Sequence, residues 1–195
     1  MKPYAEKETE WRKKFLIRHF IPQCESIFDF CCGPGEYGPV LKQKCKLLTG
    51  LDMDEESLKI ARKRNYDKLS CEEIGTKLPF IDKEFDCTWC SEVLEHFSNL
   101  EIMDEIERIT GKIIIVTLPN PLSPHFKEDK THILKYSVDS LITSFKTRKN
   151  WKYRVRGLGF NEIPAPLFLK KITTFVLYYI PWLSPTVAII GERAN

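Results

Sequence analysis

The stretch Asp29-Phe30-Cys31-Cys32-Gly33-Pro34-Gly35-Glu36-Tyr37-Gly38 follows a short apolar run, Ser26–Phe30, and leads into a helical pattern over residues 36–44. A strand that ends in a glycine-rich turn and opens into a helix is the first unit of a parallel α/β sheet. Gly33-x-Gly35-x-x-Gly38 has the spacing of a nucleotide-binding turn, and Asp52 follows at a suitable distance for ribose hydroxyls. Two carboxylates argue against a pyrophosphate here. Asp29 lies inside the first strand, and Glu36 falls in the first helical turn, where it would compete with phosphate for the positive helix end.

Along the rest of the chain, apolar runs alternate with helical patterns. Strands are predicted at Lys46–Leu51, Leu69–Ile74, Phe85–Cys90, Lys112–Leu118, Trp151–Arg156 and Thr186–Glu192. Helices are predicted from Asp54 to Arg64, with Asp54 as the cap, over Asn99–Thr110, and from Ser137 to Phe145. An apolar segment, Leu167–Leu183, precedes the last strand. The 195 residues read as a single domain, 1–195, with an N-terminal helix over 1–24 and a helical cover over 164–184.

With 43% hydrophobic and 29% charged residues, the composition excludes disordered and fibrous classes. A net charge of +3 does not by itself imply a nucleic-acid partner. The seven cysteines, at 24, 31, 32, 45, 71, 87 and 90, are odd in number, and a charged, polar start precedes them. Free thiols and a cytoplasmic location are expected. Cys87-Thr-Trp-Cys90 has CxxC spacing but no second CxxC, and it falls in a predicted strand. Leu167–Leu183 contains Lys170, Lys171 and Pro181, so no stable membrane insertion is expected.

A cofactor bearing an ammonium and a sulfonium has no conflict with Asp29 and Glu36. The run FDFCCGPGEYG resembles the first motif of class I S-adenosylmethionine (SAM)-dependent methyltransferases. Gly50-Leu51-Asp52-Met53, Leu78-Pro79-Phe80 with Phe85-Asp86, and Ser91-Glu92-Val93-Leu94-Glu95-His96 are similar to its later motifs. Thr117–Pro121 and His132–Ser137 look like landmarks of the small stand-alone group related to ubiquinone-pathway O-methyltransferases. The resemblance implies a Rossmann-like α/β fold, a seven-stranded mostly parallel sheet with the last strand antiparallel and helices on both faces.

The resemblance also implies SAM as cofactor and assigns roles by position. Asp29 and Cys31 belong to the first motif, and Gly33 and Gly35 would let the backbone approach the methionine part. Asp52 would take both ribose hydroxyls, Met53 would lie against the adenine, and the backbone at Cys90 and Ser91 would face the amino-acid end. Cys31 stands where a glycine is usual. Ile74 stands where an acid usually meets the adenine amine, and Glu73 could substitute for it.

Methyl transfer is mainly in-line positioning of a nucleophile, helped by a general base where that nucleophile is a hydroxyl. His96, His132 and Glu92 are the candidate catalytic residues, and no resident metal is assigned. The alternatives are structural use of the Glu92/Glu95/His96 cluster, or a divalent ion held by it with His132 or His125. A similar Glu-x-x-Glu-His with a distant His holds an ion in small-RNA 2′-O-methyltransferases. Lys146, Arg148, Lys149, Lys152, Arg154 and Arg156, interleaved with Trp151 and Tyr153, offer either an RNA surface or a solvated strand face. The expected reaction is transfer of a methyl group to oxygen or nitrogen of a small-molecule or lipid-like acceptor. The alternatives are a metal-assisted RNA methyltransferase and a non-catalytic subunit that binds a partner.

Overall fold

A computed structural model describes residues 4–123, 126–127, 129–159, 176 and 178–194, with main chain only for 4–11. Helix α1 (Tyr4–Phe20) leads into β1 (Cys24–Phe30). Next come α2 (Gly38–Leu41), β2 (Cys45–Asp52), α3 (Glu55–Ala61) and β3 (Lys68–Cys71). The second half runs β4 (Phe85–Ser91), α4 (Ile102–Ile109), β5 (Thr110–Pro119), α5 (Val138–Lys146), β6 (Trp151–Leu158) and β7 (Thr186–Arg193).

The seven strands form one sheet in the order β3-β2-β1-β4-β5-β7-β6. β1, β2, β3, β4 and β5 are mutually parallel, and β7 runs antiparallel between β5 and β6. Alternation along each strand sends side chains to two cores. Phe28, Phe30, Phe85, Ile114 and Val116 pack on one face with α4 residues Ile102, Met103, Ile106 and Ile109. Ile27, Leu48, Trp89 and Ile115 pack on the other with Leu16, Ile17 and Ile21. Cys87 and Cys90 fall in opposite cores, so the CxxC spacing on a strand cannot bring both thiols to one ion.

Local chemistry sets the ends of the elements. Asp54 caps α3 by accepting from the Glu56 and Ser57 N–H groups. Ser137 caps α5 in a reciprocal pair with Ser140. The helix after the glycine turn is shorter than its sequence pattern. Gly35 N–H donates to Cys32 O and Gly38 N–H to Gly35 O, so residues 32–38 form successive tight turns and α2 starts only at Gly38. Glu36 therefore lies ahead of the helix, not in its first turn. α4 likewise starts at Ile102, and an unforeseen 3-10 turn, Leu94–His96, sits between β4 and α4.

The strand order reverses between β1 and β4, which are neighbours although β2 and β3 separate them in sequence. In open α/β sheets that reversal leaves a crevice at the carboxyl ends of the strands. The glycine turn follows β1 and Glu92 follows β4, so both rise from this crevice.

Candidate active site

The turn after β1 holds three left-handed residues: Cys31 (φ 53°), Gly33 (φ 52°) and Gly35 (φ 76°). A side chain at Gly33 would meet nothing within 4 Å, so its backbone faces open space. A side chain at Gly35 would instead meet the Tyr66 ring at 2.7 Å and Ala61 at 3.1 Å. Glycine at 35 is thus required by packing as well as by φ. Cys31 keeps the left-handed conformation that glycine would adopt freely, at a cost of about 1–2 kcal/mol.

Asp52, at the end of β2, accepts from Gly33 N–H at 2.6 Å and from Asp54 N–H at 3.0 Å. One carboxylate thereby ties the glycine turn to the start of α3. Met53 beside it is 63% exposed and Glu73 is exposed, leaving that rim open. Ile74 is half-buried against the core. Asp29 is buried and accepts from the Tyr66 hydroxyl at 2.5 Å. Burial pushes the Asp29 carboxyl up to about 7, the Tyr66 bond opposes this, and the Asp52 charge adds to it.

Across the crevice, the ends of β4 and β5 build a polar wall. Cys90 is fully buried, and Ser91 Oγ lies 2.9 Å from Thr117 Oγ1. Glu92 is left-handed (φ 55°), its N–H donates to Thr117 O, and Thr117 Oγ1 donates to its carboxylate at 3.1 Å. Lys13, from α1, reaches the same carboxylate at 3.0 Å.

The 3-10 turn after β4 then places Glu95 and His96. Glu95, His96 and His132 offer ligand atoms within 4.8 Å of one another, the one such group among the described residues. Glu95 is fully buried, and neither of its carboxylate oxygens has a hydrogen-bond partner among the described residues. Burial, reinforced by Glu92, pushes Glu95 up to about 8. His96 Nδ1 lies 3.2 Å from Thr131 O, and His132 Nδ1 lies 3.0 Å from Phe126 O. A carbonyl can only accept, so Nδ1 of each ring is the donor in these contacts, and His132 Nε2 faces Asp129 Oδ2 at 3.6 Å. The rings are 5.0 Å apart, and the Tyr136 hydroxyl closes this side by donating to Pro119 O. His125 lies outside the described residues.

Residues 28–114 match the protein family described as "Methyltransferase domain". The sheet order gives the chain the Rossmann-like class I methyltransferase fold. The chain is 30% identical over 125 residues to the demethylmenaquinone methyltransferase of Thermotoga maritima, covering 61% of this chain and 55% of that one. It is 27% identical over 93 residues to a ubiquinone biosynthesis O-methyltransferase of Stutzerimonas stutzeri, covering 44% and 39%. A SAM-dependent methyltransferase from Archaeoglobus fulgidus superposes with a TM-score of 0.69 at 18% identity, over 97% of each chain. The matches span about half the length of these curated relatives or less.

The strand ends and the loops that follow them thus bring Gly33, Asp52, Cys90, Ser91, Glu92, His96 and His132 to one crevice, while Asp29 is engaged by Tyr66. Lys13 and Tyr66 were not foreseen from the sequence. Beyond residues 28–114, the basic segment is built into the fold only in part, with Lys146, Lys149, Lys152 and Arg154 exposed. Arg148 pairs with Asp104 at 2.7 Å and Glu107 at 3.0 Å, and Arg154 pairs with Glu192. Trp151 is buried beneath Arg193, and Tyr153 packs on Phe145 and donates to Glu107. Most of Leu167–Leu183 lies outside the described residues. Its end, at 181–184, is tied to the end of β5 by Asn120, whose amide donates to the carbonyls of Pro181, Trp182 and Ser184. No helix among the described residues is long and apolar enough to cross a membrane.

Proposed function

We propose that this chain is a SAM-dependent methyltransferase that transfers the methyl group to oxygen or nitrogen of a small, lipid-like acceptor. A hydroxylated quinone-type ring is the first acceptor to test. The observation that carries the reading is the open left-handed Gly33, latched to Asp52 at the β1/β4 reversal. Main chain can approach a ligand closely there, and a carboxylate stands where ribose hydroxyls would be read. The quinone-type acceptors named for the curated relatives support the acceptor class.

SAM, when bound, supplies a methyl group already activated on a sulfonium. The chain's own task is to orient the acceptor and remove its proton. Asp52 and the Gly33 main chain would hold the nucleoside, and the Cys90–Ser91 backbone would line the amino-acid end. His96 and His132 are the candidate general bases for an acceptor hydroxyl. Glu95 beside them is buried and pushed up to about 8, so near neutrality it is largely protonated and does not hold the proton taken by a histidine. The test is transfer of labelled methyl from SAM to a panel of short-chain hydroxylated quinols. Labelled ether is the expected product. SAM binding without transfer to any oxygen or nitrogen acceptor would instead favour the partner-binding subunit.

A second reading has its own observation. Glu95, His96 and His132 converge on one point, and the Glu95 oxygens lack partners among the described residues, as expected of a site for a divalent ion of mixed oxygen and nitrogen preference. In this reading the ion would orient the acceptor oxygen, with Glu92 nearby. The packed Trp151 and Tyr153 give its RNA version less support than a small acceptor. Transfer that stops in chelator and returns with Mg²⁺ or Mn²⁺ supports the ion, and full activity in chelator rejects it.

A further inference from the structure

Lys13 is the feature that the proposed reaction leaves unused. It is 5% exposed, on a helix whose neighbouring residues are mostly charged, and it reaches across to the end of β4. Burying an ammonium is costly unless a partner compensates. Here Glu92 is that partner at 3.0 Å, and Tyr37, from the glycine turn, adds a weaker influence of the same sign. Burial alone would lower the Lys13 pKa, but Glu92 and Tyr37 outweigh it and the pKa rises, so the group stays charged.

The pair stands where the two walls of the crevice meet. Tyr37 belongs to the turn after β1, and its ring packs edge-on against Trp89 of β4 with centroids 5.2 Å apart. The Lys13 side chain is 7% exposed and that of Glu92 is 32% exposed, so the carboxylate is the more open of the two. Glu92 is also held in a left-handed conformation by Thr117, a strain that fixes where its carboxylate stands. A fixed cation and a fixed anion side by side match a ligand that carries both charges on adjacent groups.

We infer that Lys13 and Glu92 together read the α-amino-acid end of the cofactor, the ε-ammonium taking its carboxylate and Glu92 its ammonium. The ion pair of the free protein opens on binding, and each charge exchanges its partner for one of the same sign. Neither charge is then left buried and unpaired, and the local net charge is unchanged. Lys13 is thereby a cofactor-binding residue, and α1 is part of the cofactor site. The inference rests on the SAM reading above.

The test compares S-adenosylhomocysteine, which has the amino-acid end, with 5′-methylthioadenosine, which lacks it, by titration calorimetry. For Lys13→Met, affinity for S-adenosylhomocysteine should fall about 10–100-fold, the range for a lost hydrogen bond to a charged group, with 5′-methylthioadenosine changed by less than about 2-fold. Lys13→Arg should keep most of the preference for the longer ligand. An equal loss for both ligands, or an unchanged preference, would make Lys13 a staple for α1 and overturn the inference. If Lys13→Met does not fold by circular dichroism, Glu92→Gln decides: a reduced preference supports the inference and an unchanged one rejects it. Wild-type protein that binds neither ligand removes the SAM reading and this inference together. Wild-type protein that binds both equally removes this inference alone.

Discussion

Replacing Tyr66 with phenylalanine removes one oxygen from beneath the glycine turn and keeps the ring that fills it. The ring must stay, because side chains built at Gly35, Gly38 and Gly50 would come within 2.7, 2.5 and 2.8 Å of it. What is lost is the 2.5 Å bond to Asp29, which is 2% exposed. With that bond in place Asp29 already stands at about 7. Against an unfolded value of about 3.9, the folded protein binds an extra proton between roughly pH 4 and pH 7, so stability falls as pH rises through that window. A gap of about 3 pH units corresponds to ~4 kcal/mol, fully expressed only above the folded value.

Without the tyrosine hydroxyl, the ionised carboxylate loses about 1.5–3 kcal/mol, and the protonated one about 1 kcal/mol. The falling limb therefore extends by about 1 pH unit, toward roughly pH 8. Urea unfolding followed by circular dichroism should show Tyr66→Phe destabilised by about 1 kcal/mol near pH 5 and by about 2–3 kcal/mol near pH 8.5. A deficit that is the same at both pH values would mean that Asp29 does not titrate against Tyr66.

Other consequences separate the residues that serve packing from those that face the ligand. Gly38→Ala would place Cβ 2.3 Å from Arg64 O, so thermal melting should show a loss of about 1–3 kcal/mol. Gly33→Ala meets no neighbour but keeps a left-handed φ of 52°, so melting should show a loss of about 1–2 kcal/mol and calorimetry a larger loss of cofactor affinity. Cys31→Gly should match or exceed wild-type stability in the same melts, since relief of the left-handed strain offsets the extra freedom of glycine in the unfolded chain. In chelator-treated protein, Glu95→Gln should flatten the stability–pH curve between about pH 4.5 and pH 8, where a carboxyl pushed up to about 8 makes wild-type stability fall as pH rises.

The sheet was legible because its signals are local. Lys112–Leu118 is a run too apolar for anything but a buried strand, and the structure extends it only to Thr110–Pro119. Asp54 and Ser137 announced their helices as caps do. The crevice was legible as far as its residues follow strand ends, which holds for Gly33, Asp52, Ser91 and His96. Lys13 was not, because it stands in the run Trp11-Arg12-Lys13-Lys14, where nothing marks out one cation from the next. Only its contact with Glu92, far along the chain, distinguishes it.

Tyr66 was missed for the same reason. It lies in the polar stretch Arg64-Asn65-Tyr66-Asp67, and its partners, Asp29 and the glycines it packs on, are brought to it only by the β1–β2–β3 pairing. The short 3-10 turn at Leu94–His96 was invisible because three residues carry no periodicity.

Whether the crevice holds SAM is decided by calorimetric titration of the wild-type protein and of Asp52→Ala with that cofactor. One site is expected, with a wild-type dissociation constant of about 1–100 μM, weakened at least about 10-fold in the variant. No heat of binding to the wild-type protein at about 1 mM SAM, or equal affinity in the two proteins, would overturn the assignment.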